Sequence, residues 1–248
     1  VCRSYQKLIA MKNKPYFLKW IFLFAIIFNV NTMNAQTSNT LSPQEQGLAS
    51  ISALTATGDL PNLKTQLSTA LDAGLTINEI KEALVQLYAY CGFPRSLNAL
   101  NTFKTVLDER KAKGINDAEG KTIIVENKVA DKYEQGRKVI EELTGVPQAK
   151  PAPGFGEFAP RIDAFLKEHL FADIFASDVL NYKQRELVTI SALAAMTGVE
   201  GQLQAHIGMG MNTGITAEQI NSIFDIIEKV ISKGQAANGR LVFNRIKK

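Results

Sequence analysis

Cysteine is nearly missing from this 248-residue chain, which holds only Cys2 and Cys91. Cys2 lies in a segment that reads as a leader, so Cys91 is the lone thiol of the remainder and no disulfide can close within one subunit. Histidine is as scarce, with His169 and His206 alone. Two histidines far apart in sequence and one cysteine give no metal-ligand spacing, and no cofactor or metal is expected. There is no Ser-His-Asp pattern and no dinucleotide fingerprint. "GMGMNTG", Gly208 to Gly214, ends a helix instead of starting one, so it is not a phosphate loop. A surplus of charge is also lacking. Residues 1–35 carry Arg3, Lys7, Lys12, Lys14 and Lys19 and no acid, and the remaining 23 basic and 24 acidic side chains nearly cancel. No nucleic-acid partner is expected of such a chain.

The basic start leads into "WIFLFAIIF", Trp20 to Phe28, well short of the roughly 18 residues of a spanning helix. "NTMNA" then ends on the small residue Ala35. This is the order of a secretory signal peptide. The reading is a leader over 1–35, with Met11 as the true start and 1–10 upstream of it. It predicts export to a periplasmic or extracellular place and no stable membrane insertion after cleavage.

Strand signals are scarce and helical spacing dominates, so the expected fold class is all-α. "SPQE", Ser42 to Glu45, is a capping box with proline at the first helical position, and "TINE", Thr76 to Glu79, is another. The spacing predicts helices that end at Gly58, run from 62 to 73 before Gly74, and continue from Thr76 to "CGFP" and on to Lys113. Residues 114–132 read as a linker. A helix follows from Tyr133 to Gly145, then an irregular stretch over 146–158, then helices over 160–170 and from Tyr182 to the end.

A second copy sits inside the first reading. "ISAL" at Ile51–Leu54 recurs at Ile190–Leu193, after which the offset settles at 140: Leu63 meets Leu203, Leu67 meets Ile207, Gly74 meets Gly214 and Ile80 meets Ile220. Two units, 42–113 and 133–248, are expected to pack about a pseudo-two-fold axis and bury faces that neither could bury alone.

"RELVTISALAAMTG" followed by "QLQAHIGMGMNTGITAEQI" resembles the carboxymuconolactone decarboxylase family, whose fold is the alkylhydroperoxidase D-like one. "YEQGRKVIEELTG", Tyr133 to Gly145, is similar to the opening helix of those decarboxylases, and "GFPRSLNAL", Gly92 to Leu100, to their Gly-x-Pro segment. The resemblance implies a carboxy-lyase acting on a small carboxylated or lactone-type molecule. His206 would be the proton donor, a role that suits a side chain titrating near neutrality. The family's Arg-Glu falls on Arg185 and Glu186, both counted with His206 as catalytic candidates, and Arg185 would help orient an anion. The first unit has Gln66 for the histidine and Gly47 for the glutamate, so at most one unit is equipped. The family's other branch carries a thiol peroxidase-like, peroxiredoxin-type activity on the pattern Glu, eleven residues, Cys-x-x-Cys, three residues, His. Glu79 and Cys91 keep the first gap, but Pro94 and Asn98 replace the second cysteine and the histidine. A one-cysteine cycle with an external thiol remains as an alternative, as does a small-molecule-binding protein without catalysis.

Each site residue has a plainer role open to it. His206 could be a buried histidine bonded to a backbone carbonyl. Cys91, near a helix C-terminus whose dipole disfavours thiolate, could be structural. Glu79 is explained by its capping box, and Glu186 by its place early in a helix. Single-unit members of the family form rings, so a homo-oligomer is expected, most simply a trimer of fused pairs, with apolar faces near Phe103, Phe165 and Phe243 as candidates to join it.

Overall fold

Ser42 accepts the Glu45 amide while the Glu45 carboxylate accepts the Ser42 amide, and this box starts helix α1, Pro43–Thr57. A computed structural model describes the chain from residue 40 to 246. The leader-like segment lies outside those residues. Asp59 caps α2, Leu60–Asp72, two residues ahead of the expected start. The Thr76–Glu79 box opens α3, Ile77–Ala112. Within α3 the helix breaks at Gly92, whose φ of 83° belongs to the left-handed region that favours glycine. This kink is the "CGFP" boundary, and it splits α3 into two arms.

The second unit repeats the plan. α7 covers Tyr182–Ala194, α8 Glu200–Asn212, α9 Ala217–Val230 and α10 Lys233–Ile246. Thr216 and Gln219 rebuild the capping box of Thr76 and Glu79. Gly74 and Gly214 share a φ of 95°, so both turns reverse the chain the same way. The matched apolar positions Leu63 and Leu203, Leu67 and Ile207, and Ile80 and Ile220 are all buried.

The two units share one core that runs through both. α1 packs broadly on α7, and the cross-contacts come in a mirrored pair: α3 on α7, and α9 on α1. That reciprocity is what a pseudo-two-fold axis produces, so the fold is a tandem all-α duplication.

Between the units the chain does more than link. The carbonyls of Ala118 and Glu119 accept the amides of Ile77 and Asn78 at 2.9 and 3.0 Å, satisfying free donors at the start of α3. α4, Lys132–Thr144, follows. The irregular stretch contains one short helix, α5, Phe155–Phe158, and α6, Pro160–Ala164, then passes into a π-helical segment, Phe165–Ile174. α4 lies closer to that segment than any side chain would allow: a Cβ on Gly136 would stand 1.8 Å from the Lys167 carbonyl oxygen. A second, smaller core including Ile140, Leu143, Phe171 and Phe175 forms between them. Phe103 and Phe243, named from sequence as surface candidates, are core residues instead, and only Phe165 is exposed. Among the described residues no helix is long and apolar enough to cross a membrane.

Candidate functional site

Residues 202, 205, 206 and 209 fall on one face of α8 by helical spacing. Gln202, Ala205, His206 and Met209 line an open cleft of about 1140 Å³. The π-helical segment supplies a second wall, α4 a third, and the kink of α3 in the first unit a fourth, through Tyr88, Ala89, Gly92 and Phe93. The cleft therefore exists only because the two units are joined.

His206 is 7% exposed, and its Nδ1 lies 2.8 Å from Oε2 of Glu186, which is fully buried on α7. An ionised carboxylate only accepts, so Nδ1 carries the proton in this pair and Nε2 is the nitrogen left for a substrate. Oε1 of Glu186 has no partner of its own. Tyr90 meets the imidazole edge-on, with ring centroids 5.4 Å apart. Its hydroxyl is buried and comes near Thr189 without forming a proper bond. Burial, followed by the Glu186 charge, pushes the Tyr90 hydroxyl far above its ordinary range, so it stays protonated.

Local sequence explains why Glu186 fits. A Cβ on Gly210 would already stand 2.8 Å from Ile190 and 3.6 Å from the Glu186 Cβ. A glycine on α8 thus leaves room for a long side chain on α7. In the first unit the exchange runs the other way, with Gly47 on α1 facing Ala70 on α2.

Arg185 is beside the dyad in sequence but not in the cleft. It is wholly buried, and its guanidinium donates to Gln86 Oε1 at 2.9 Å, Glu82 Oε2 at 3.1 Å and the Ser177 carbonyl at 2.7 Å. Gln86 in turn donates to the Arg185 carbonyl and the Thr189 hydroxyl, both at 2.9 Å. Burial draws the Arg185 pKa down, and the Glu82 partner opposes that. This network ties α3 of the first unit to α7 of the second, directly behind Glu186. Glu82, Gln86 and Tyr90 were not singled out from sequence. Their spacing of four along "EALVQLYAY", polar among apolar residues, was the signal.

Cys91 and Glu79 lie apart from each other. Twelve residues of helix separate them by about 18 Å. Both Thr76 bonds of Glu79 measure 2.8 Å, so its carboxylate is engaged in the cap. The Cys91 thiol donates to the Leu87 carbonyl at 3.1 Å, and burial pushes its pKa up. Laid over His206 instead, the peroxidase pattern would put its two thiols at Val199 and Gln202. Among the described residues no group of three or more His, Cys, Asp or Glu side chains converges as a metal site would.

The pseudo-two-fold axis generates a second pocket, of about 540 Å³. Gln46, Gly47, Ser50 and Gln66 stand there in the places of Arg185, Glu186, Thr189 and His206. Ser222, Ile226 and Val230 of α9 stand in those of Glu82, Gln86 and Tyr90. Every ionisable or aromatic group of the dyad and its support has been exchanged, so the two halves hold one equipped site and one blank.

A search of curated proteins finds no match to the chain. The model of the Carboxymuconolactone decarboxylase family matches twice, at residues 23–105 and 160–239. The first match begins inside the apolar leader-like run and the second leaves α4 outside. Together they cover more than half the sequence, one match to each unit, and the chain belongs to the carboxymuconolactone decarboxylase family.

Proposed function

We propose that this protein is an enzyme of the family's decarboxylase type, with His206 as proton donor to carbon in a carboxylated carbonyl compound of lactone type. The observation that carries the reading is the buried Glu186–His206 pair on the wall of a large cleft. In the reaction the bond from carbon to the carboxylate breaks and carbon dioxide leaves. Its electron pair passes through the conjugated bonds into the carbonyl as an enolate or dienolate. The Nε2–H of a protonated His206 then delivers a proton to a carbon of that anion, and water restores it. Glu186 accepts the Nδ1–H throughout, which fixes the ring and leaves Nε2 for the substrate. Tyr90 packs against the ring edge and limits its rotation. Arg185 acts at one remove, as a positioning residue behind Glu186.

The thiol reading is weaker, because Cys91 has no second thiol, no acid beside it and a raised pKa. A binding protein without catalysis would describe the first unit's blank pocket, but it leaves the dyad unexplained. Export and assembly of fused pairs into a trimer belong to the same proposal. Release of carbon dioxide from 4-carboxymuconolactone tests it. Wild type should exceed the uncatalysed rate, and His206→Gln should lose about 10²–10⁴-fold. Equal rates in the two proteins would remove His206 from the chemistry.

A further inference from the structure

The cleft is large, mostly apolar and poor in free positive charge, and the three facts point the same way. At about 1140 Å³ it lies just above the range of roughly 300–1000 Å³ that holds drug-sized ligands. A small carboxylated lactone would leave most of it to water. Phe93, Phe155, Ile162 and Phe165 stand at its walls, each more than half exposed. Phe171 and Met209 continue the apolar lining from the buried side. Four large apolar side chains left open around one concave site are what a ligand with a large apolar surface would cover.

The lysines that line the cleft are already paired, and His169 shares Asp173 with Lys132 at 3.2 Å. Lys132 pairs with Asp173 at 2.8 Å, and Lys167 is enclosed by Asp163, Tyr133 and the Ala149 carbonyl. Arg185, the remaining cation near the dyad, points into the interface between the units. Nothing among these is free to clamp a carboxylate.

We propose that the substrate of this cleft has a bulky apolar body, an alkyl chain or fused rings, and is held by burial of that body rather than by charge pairing. Its carbonyl head then lies against His206. The inference rests on the proton-transfer reading for the head but not for the body. It also gives that reading a physical advantage: binding energy from the remote apolar part can offset the cost of taking the charged head out of water beside the dyad.

The test is displacement of the neutral dye Nile red from the full chain after leader removal, with light scattering on the same sample. Dodecanoate and 2-tridecanone offer alike apolar bodies with and without charge. Both should displace the dye, and raising the salt from about 50 to 500 mM should change neither affinity more than about twofold. 4-Carboxymuconolactone should compete at least about 100-fold less well. Phe165→Ser and Phe93→Ser should each weaken dye binding about tenfold, because each removes an aromatic face from the contact. Loss of turnover in His206→Gln speaks to the dyad, whereas weakened dye binding in the phenylalanine variants speaks to the apolar walls. Competition by the small lactone as strong as by dodecanoate would overturn the proposal. So would salt-sensitive binding, no binding of the dye, or loss of dye binding in the assembled form that light scattering identifies.

Discussion

His206 can serve a substrate only through the nitrogen that Glu186 does not hold. Glu186→Gln keeps the shape but offers an amide that can rotate to present either an oxygen or an NH2 to Nδ1, so the ring loses its fixed orientation. Turnover is expected to fall about tenfold or more, with histidine nitrogen chemical shifts reporting a change of tautomer. His206→Gln is the better partner variant than alanine, because its amide can still donate to the buried carboxylate and spare the fold. At Cys91 the raised thiol pKa predicts slow alkylation. Iodoacetamide at neutral pH should modify the native protein at least about tenfold more slowly than the unfolded chain; equal rates would revive the thiol route. The sequence pointed to Glu186 and His206 through their family resemblance, and the fold brings the two side chains together. It could not show that Arg185, one residue away, faces the opposite unit. Which side of α7 looks at α3 is set by packing across the duplication, not by local pattern.

At the scale of elements, capping boxes and glycine stops were readable because they act within four residues. The π-helical segment was not, since "FLKEHLFADI" has no pattern that separates a π turn from an α turn. It widens at the cleft wall, a common setting for π geometry. What fixes it to α4 is Tyr133, whose hydroxyl donates to Asp163 and accepts from Lys167 at 2.8 Å, both partners belonging to a buried i,i+4 ion pair that is 1% exposed at each side chain. Burial alone would raise the Asp163 carboxyl, but Lys167 and Tyr133 outweigh it and hold the pKa below the ordinary range. Burial would lower Lys167, and Asp163 reverses that. The Asp163 contribution is therefore full above the unfolded value of about 3.9 and fades as pH falls through the depressed one. The Lys167 contribution is full below about 10.4 and fades as pH rises through the raised one. Amide exchange along α4 should accelerate first at those two limits. Asp163→Asn strands a buried ammonium and should cost about 3–5 kcal/mol in denaturant unfolding. Glu82→Gln should weaken the union of the units by about 3 kcal/mol for the same reason at Arg185.

Across the whole molecule, duplication has divided labour. The copy was legible in the sequence because the apolar spacing survives at an offset of 140, and the mirrored contacts of α3 with α7 and α9 with α1 follow from it. The asymmetry was half legible: Gly47 and Gln66 announced a blank first unit, but the support that this unit gives the second, through Glu82, Gln86 and Tyr90, needed the fold. Further assembly is expected to use apolar side chains that remain outside, such as Leu97 and Leu241, each more than half exposed. Gel filtration with light scattering should give three fused pairs, and a monomer would reject that assembly. The central claim is that one Glu186–His206 dyad, built across two fused units, moves a proton to carbon. Its most direct test is carbon dioxide release from 4-carboxymuconolactone and from a long-chain 3-oxo acid, measured for wild type and His206→Gln against the uncatalysed rate. The account predicts acceleration of at least one of them by wild type and its loss by about 100-fold or more in the variant. Wild type and variant running at the same rate on both compounds would contradict it.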